Sequence, residues 1–379
     1  MRHNRNTRTT MHTLMIPSDY EDITLEWLNE AIKLGATYEI GNTNLVSFKL
    51  EKIGQDFGFI NRLARLKLKY DNEVHNLPNT LILKLPPSDI NLKMVHEKLN
   101  NAKKEFKFYQ LVSSNGILGV PAMYYGAVDY FSGRSVLLLE DISYYRQGDS
   151  VSGCSYDEAC IALTQLAKFQ SKWWMKNELK YIDWMPVKIN EIQAYEELYQ
   201  DAWRSFVDMS AGNIPVYLHK IGEKLGENIS SIKTTLSRDP LTIVHGDYRL
   251  DNCFFGFENN LGSPVIKVID WENCVKGRGT YDVATFISEA FPIKQRQAID
   301  EILLKVYHSC LLDNGIDDYT FEECLKDYRL SMLEILIFWI VSGGYGNYKG
   351  DRASVYLKNS LERFSNAIRD LGSEDLLRG

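Results

Sequence analysis

The sequence predicts an α+β chain of two lobes, a small β-rich N-terminal lobe and a larger, mainly helical C-terminal lobe, with a cleft between them. Three observations predict it. Short β-like runs crowd the segment from Leu45 to Leu85, the apolar periodicity turns helical after Pro86-Pro87, and almost everything after Ser155 keeps helical spacing.

The first ten residues are basic and polar (Arg2, Arg5, Arg8), and only Leu14-Met15-Ile16 precedes Pro17, so no secretory apolar region is expected and residues 1–20 read as a flexible N-terminus. Strands are expected over 46–52, 60–70 and 80–85, with turn residues between them. Met94, Leu99, Phe106, Tyr109 and Leu111 then suit one face of a single helix. The run 135–142, carrying Val136-Leu137-Leu138-Leu139, reads as another buried strand. The Gly148 to Gly153 stretch after it marks the expected boundary, giving lobes at 21–147 and 148–379. Ser155 and Glu158 form a capping box at the head of the next helix. Further helices are expected at 190–209, 216–236, 281–290, 294–312, 320–341 and 353–370, interrupted by a β island at 241–244, 253–257 and 265–269.

With 379 residues, 45% hydrophobic and 25% charged, the composition is that of a globular chain and excludes disordered, collagenous and fibrous classes. The longest apolar stretch runs only from Ile335 to Val341, far short of the roughly 18 residues a membrane-spanning helix needs. A net charge of −7 argues against a phosphate-backbone binder, so nucleic acid is not an expected partner. Six cysteines (Cys154, Cys160, Cys253, Cys274, Cys310, Cys324) form no C-x-x-C pair and are expected as reduced thiols in a cytoplasmic protein. The histidines show no ligand-spaced cluster for zinc.

The strongest chemical signal is Ile243-Val244-His245-Gly246-Asp247-Tyr248-Arg249-Leu250-Asp251-Asn252, followed by Val268-Ile269-Asp270-Trp271-Glu272. The layout is strand, acidic loop, strand, acidic loop. Phosphoryl transfer needs a carboxylate beside the attacking hydroxyl and oxygen ligands for Mg²⁺. Asp247, Asn252 and Asp270 supply that set, and the step from Asp247 to Asn252 matches the catalytic-loop spacing of kinases.

These motifs resemble those of the aminoglycoside phosphotransferase and choline kinase superfamily, which carries H-G-D-x-x-x-x-N and then I-D-W or I-D-F on a protein-kinase-like fold. Within it, Leu139-Glu140-Asp141-Ile142 and the run from Glu105 to Tyr109 are similar to the ecdysteroid-kinase-like branch. The resemblance implies a small antiparallel N-lobe that binds nucleotide and a helical C-lobe with the catalytic loop and acceptor site. It implies ATP and Mg²⁺, with Asp247 orienting or deprotonating the acceptor hydroxyl and Asn252 and Asp270 holding the metal. His245 would brace the catalytic loop, and Asp282 in Gly277-Arg278-Gly279-Thr280-Tyr281-Asp282 would bond its backbone.

Lys84 lies in Ile82-Leu83-Lys84-Leu85, so a strand places one charge inside an otherwise buried run, and an unpaired buried ammonium is costly. The kinase solution aims it at the phosphates and pairs it with a helix carboxylate; Glu105 is the match and Glu97 the fallback. The phosphate-covering loop reads Gly54-Gln55-Asp56-Phe57-Gly58-Phe59-Ile60-Asn61-Arg62, in which Gly54, Phe57, Gly58 and Asn61 are candidate nucleotide contacts and an ordinary hairpin is the rival reading. Glu140 and Ile142 would form the hinge against the base. Glu272 reads equally as a metal or substrate contact and as a solvated acid. For the acceptor, an excess of acids between Glu178 and Gly212, among Trp184, Tyr195, Tyr199 and Trp203, suits an amine-bearing alcohol, whereas the resemblance points to a bulky apolar one. The expected function is an ATP- and Mg²⁺-dependent small-molecule kinase acting on an alcohol. The rivals are a catalytically silent nucleotide- or partner-binding relative and, less well supported, a protein kinase lacking A-P-E.

Overall fold

The computed structural model describes residues 14–35, 43–54, 61–72, 77–112, 119–209, 214, 216–257, 262, 264–346 and 351–377. The N-lobe is built on strands β1 (Leu45–Ile53), β2 (Arg62–Tyr70), β3 (Thr80–Leu85), β4 (Met123–Val128) and β5 (Ser135–Glu140), paired antiparallel in the order β1-β2-β3-β5-β4. Because side chains alternate across a strand, the apolar residues of β3 and β5 serve two faces of the sheet. Leu81, Leu83, Val136 and Leu138 face one core, roofed by helix α1 (Leu25–Gly35) through Trp27, Leu28, Ala31 and Ile32. Leu137 and Leu139 join the core on the opposite face, with Ile82 packed against it, so both faces are covered. The sequence patterns assign neither α1 nor β4.

Two helices, not one, follow β3: α2 (Ile90–Lys98) and α3 (Asn101–Val112). The break falls at Asn100, whose φ is 55°. Asn tolerates this left-handed conformation because its short polar side chain bonds locally, and one such residue turns the chain out of helix without any proline. Helix α2 is capped by Asp89, which accepts from Asn91 N–H and Leu92 N–H.

The C-lobe contains α4 (Tyr156–Trp173), α5 (Ile192–Met209), α6 (Val216–Leu236), α7 (Thr280–Ala290), α8 (Ile293–Asp313), α9 (Phe321–Tyr345) and α10 (Asp351–Asp370). The capping box of Ser155 and Glu158 is present as read from the sequence. Strand β6 (Arg146–Gln147) pairs with β8 (Cys253–Phe257), which pairs with β9 (Pro264–Val268); β7 (Thr242–Val244) pairs with β10 (Val275–Gly277). The chain therefore crosses between sheets over 141–145, just ahead of the Gly148 to Gly153 stretch. Helix α9 is apolar on most sides and forms the axis of the lobe, contacting α5, α6 and α7. Among the described residues, no helix is long and apolar enough to cross a membrane.

Candidate active site

Lys84 points from β3 to the cleft side, where three carboxylates meet its ammonium: Glu105 at 2.6 Å, Asp270 at 2.5 Å and Glu272 at 3.2 Å. Burial alone would lower its pKa, but Asp270, Glu105 and Glu272 together hold it well above the ordinary lysine value. Three anions around one cation leave a surplus. Burial, with Asp270 and Glu272 adding to it, pushes the Glu105 carboxyl up to about 8 despite Lys84. Glu97, the fallback partner, instead faces solvent and lies 3.8 Å from Lys93.

Helix α3 holds Glu105 in place through Phe108, whose ring stacks on Trp271 with centroids 3.7 Å apart and planes 9° from parallel. Trp271 is fully buried, and its indole N–H donates to the Val268 carbonyl at 3.1 Å. The residue before it, Asp270, adopts a left-handed backbone, φ 68° and ψ 57°. That conformation carries strain of about 1–3 kcal/mol in a non-glycine residue and turns the carboxylate back toward Lys84.

Glu272 is not a solvated loop acid. Only 3% exposed at its side chain, it accepts from Asn61 Nδ2 at 2.6 Å and lies 3.0 Å from His96 Nε2. Asn61, a candidate nucleotide contact by sequence, thus spends its amide on Glu272, although it still lines the cleft. Gly54 also lines it, with φ 77° at the end of β1, whereas Phe57 and Gly58 lie outside the described residues. His96 carried no sequence signal, because its burial depends on the packing of α2 over the 271–273 turn.

The catalytic-loop motif begins where β7 ends. Gly246 has φ 87°, and a Cβ there would stand 2.2 Å from the Asn273 carbonyl oxygen, so the position requires glycine. Asp282, in the first turn of α7, accepts from His245 N–H at 2.8 Å and Gly246 N–H at 3.0 Å. The His245 ring accepts from Asp247 N–H at Nδ1, 3.1 Å, which leaves Nε2–H to donate to the Ile269 carbonyl at 2.9 Å. Burial pushes its pKa down to about 3, consistent with this neutral tautomer. Asp282 and His245 thus both bond backbone groups of the two acidic loops.

Asp247 Oδ2 accepts from Arg249 Nε at 3.1 Å and from Asn252 Nδ2 at 3.1 Å, while Oδ1 makes no bond among the described residues. Burial pushes this carboxyl up to about 6, with Arg249 opposing the rise and Asp270 adding to it. Asn252 Oδ1 is buried without a partner. Ile269 N–H donates to the Asn252 carbonyl at 3.0 Å, tying the two acidic loops together.

Beside these groups lies a cavity of about 270 Å³, lined by Leu63, Ile82, Leu139, Phe254 and Ile269 and ending at Lys84 and Asp270. Glu140, Asp141 and Ile142 form its rim. The Glu140 carboxylate is held by Lys267 at 2.7 Å and Asp141 by Arg65 at 2.7 Å, so both side chains are engaged in ion pairs at the rim.

Three of the seven acids in the acidic stretch of the C-lobe are paired: Glu191 meets Lys104 at 3.4 Å, Glu197 pairs with Lys98 across the lobes, and Asp201 meets Arg204 at 2.8 Å. Trp173, Trp174, Tyr195, Tyr199 and Trp339 are buried in the core. Glu289 on α7 is buried too, accepting from Trp339 Nε1 at 3.2 Å and Tyr356 Oη at 3.0 Å. Burial pushes it up to about 7, with Arg249 opposing and Asp247 adding to the rise. Its folded pKa exceeds the ordinary value, so its contribution to stability is complete below the unfolded pKa and is lost as pH rises through about 7. Glu289→Gln, an isostere of the protonated form, is expected to flatten the fall in Tm between pH 5 and 8 in a thermal melt series. An unchanged slope would show that Glu289 is ionised throughout.

Among solved structures, an ethanolamine kinase of Plasmodium vivax is 13% identical, with 86% of this chain and 83% of that one covered at a TM-score of 0.50. A choline kinase of Streptococcus pneumoniae is 17% identical over 84% of this chain and 93% of that one, TM-score 0.50. The GDP complex of an aminoglycoside 2′-phosphotransferase-IIIa is 13% identical over 93% and 99%, TM-score 0.51. No curated protein matches in sequence. The two lobes therefore define the protein-kinase-like fold that these solved structures share. The chain belongs to the ecdysteroid kinase-like family, whose model matches residues 58–316.

Proposed function

We propose that the protein is a small-molecule kinase that transfers the γ-phosphoryl group of ATP to an alcohol. The observation that carries this reading is the meeting of Lys84 and Asp270 at one end of the apolar cavity, with the loop that bears Asp247 and Asn252 tied to that end through Ile269 and with Asp247 Oδ1 left open. The base would lie between Ile82 and Phe254 against the 140–142 backbone, and the phosphates would run toward Lys84. That fold neighbours hold AMP and GDP supports the nucleotide.

The residues fit a divalent cation. Asn252 Oδ1 is a buried acceptor with no donor, and the carboxylates around Lys84 exceed its charge. Asn252 and Asp270 would hold Mg²⁺, which supplies charge neutralisation on the phosphate oxygens. In the transfer, the acceptor oxygen bonds to the γ-phosphorus, the bridging P–O bond to ADP breaks, and the hydroxyl proton passes to Asp247 Oδ1. The chain contributes mainly position and charge: Lys84 on the phosphates, Glu105 on Lys84, Asp247 on the hydroxyl. His245 and Asp282 keep that loop rigid.

For the acceptor, Glu197 and Asp201 of α5 are paired with Lys98 and Arg204, while the helix also carries the acids Glu196 and Asp208. The acceptor proposed is an alcohol, amine-bearing or bulky and apolar, and a screen of ADP release against both classes distinguishes them. A cytoplasmic setting suits six free thiols and an ATP-dependent reaction.

ATP with Mg²⁺ is expected to raise Tm more than either alone, because a ligand bound by the native state stabilises it by mass action. Asp270→Ala should lose that synergy, and wild type should release ADP when hydroxylated acceptors are screened. No nucleotide-dependent shift in wild type would instead favour the silent, partner-binding reading.

A further inference from the structure

The position two residues after Asp247 is Arg249, to which neither the motif nor the mechanism above gives a task. Its side chain is 17% exposed and spans two carboxylates: Nε donates to Asp247 Oδ2 and Nη1 to Asp251 Oδ2, each at 3.1 Å. Burial would lower its pKa, but Tyr356, Asp247, Asp251 and Glu289 hold it well above its ordinary value, so the guanidinium is permanently charged.

The C-terminal helix holds this guanidinium in turn. Its carbon lies 5.3 Å from the centre of the Tyr356 ring on α10, and the Tyr356 hydroxyl is fixed by Glu289 on α7. One turn earlier on α10, Arg352 bonds Asp149 at 2.8 Å and Asp251 at 3.3 Å, so the same helix also secures the second carboxylate of the fork. Helix α10 lies beyond the residues that the family model matches.

We propose that Arg249 is the positioning residue of the Asp247 carboxylate, holding Oδ2 so that Oδ1 faces the acceptor, and that α10 fixes Arg249 through Tyr356 and Arg352. The proposal rests on the reading of Asp247 as the group that takes the hydroxyl proton. A carboxylate is free to rotate about its Cβ–Cγ bond. Asn252 binds the same oxygen but is also required elsewhere, whereas Arg249 binds it through a planar fork whose other arm is anchored on Asp251. A guanidinium here also offsets the negative charge that Asp247 and Asp251 bring to the loop.

The test is steady-state ADP release from ATP and Mg²⁺, with water as the acceptor present in every preparation, in the full-length chain. Arg249→Ala is expected to lower kcat on the order of 10²-fold while KM for ATP changes less than about twofold. Added guanidinium should recover part of that loss, which a merely structural defect would not show. Arg249→Lys, which keeps charge but not the fork, should fall between. Tyr356→Leu should lower kcat, and Tyr356→Phe, which keeps the ring, should lower it less. In an Asp247→Asn background, Arg249→Ala should cost nothing further, because the two act as one unit.

Undiminished kcat in Arg249→Ala with Asp247→Asn inactive overturns the positioning role alone, as do additive losses in the double variant or a failure of guanidinium to rescue a folded Arg249→Ala. Retained turnover in Asp247→Asn overturns the proton-acceptor reading and this proposal with it.

Discussion

Asp247→Asn is expected to lower kcat by about 10²- to 10⁴-fold, the range that a positioned acid–base group contributes, while leaving ATP affinity close to that of the wild type. The substitution keeps the shape of the side chain and an oxygen that can accept from Arg249 and Asn252, so the loop retains its bonding pattern. What it removes is the oxygen that bears negative charge and can take the hydroxyl proton. The amide can neither hold nor accept that proton, so the loss should appear in kcat and not in the KM for ATP. The measurement is ADP release with the acceptor identified by screening, alongside the thermal shift produced by ATP and Mg²⁺. Equal turnover in the variant would show that the acceptor is oriented by another group.

Lys84→Met is expected to destabilise the fold by about 3–5 kcal/mol, because removing one partner of a buried ion cluster leaves the others uncompensated. Here the consequence is larger than for a simple pair, since Glu105, Asp270 and Glu272 would face one another across the gap. The sites of these three carboxylates can place one oxygen each within 4.8 Å of one another. Mg²⁺ without nucleotide should therefore raise the Tm of Lys84→Met more than that of the wild type, where the ammonium already occupies the centre of the cluster. Urea melts read the first quantity and thermal melts with and without Mg²⁺ the second. A variant of wild-type stability would mean that the carboxylates protonate or separate at little cost. A variant that melts earlier but ignores Mg²⁺ would mean that the cluster cannot close on a cation.

The pairing of Lys84 with Glu105 was legible in the sequence because each residue contradicts its surroundings. A lysine inside Ile82-Leu83-Lys84-Leu85 needs a buried anion, and the helix that follows offers few. The catalytic loop was legible for a similar reason: Gly246, Asp247 and Asn252 sit at a fixed spacing between two short β runs, and the backbone geometry at Gly246 admits no side chain. The roles expected of His245 and Asp282 came from the family resemblance, and the structure places Asp282 on the His245 and Gly246 N–H groups. The helix break at Asn100 escaped the sequence reading because Met94, Leu99 and Phe106 keep a tolerable helical period across it, and a single left-handed residue leaves little trace in a pattern of apolar positions.

What the sequence by itself determined is much of what depends on neighbours along the chain: most strands and helices, the capping box at Ser155, the spacing of the H-G-D loop, and the charged residues that burial would force into pairs. Only the tertiary structure decided which partners those charges took. Glu272 became the meeting point of Asn61, Lys84 and His96, which come from three separate segments, and Arg249 acquired Tyr356 and the C-terminal helix behind it. Such choices carry no periodicity, because a buried charge is satisfied by whatever opposite charge or π face the packed elements bring within reach, at any distance in sequence.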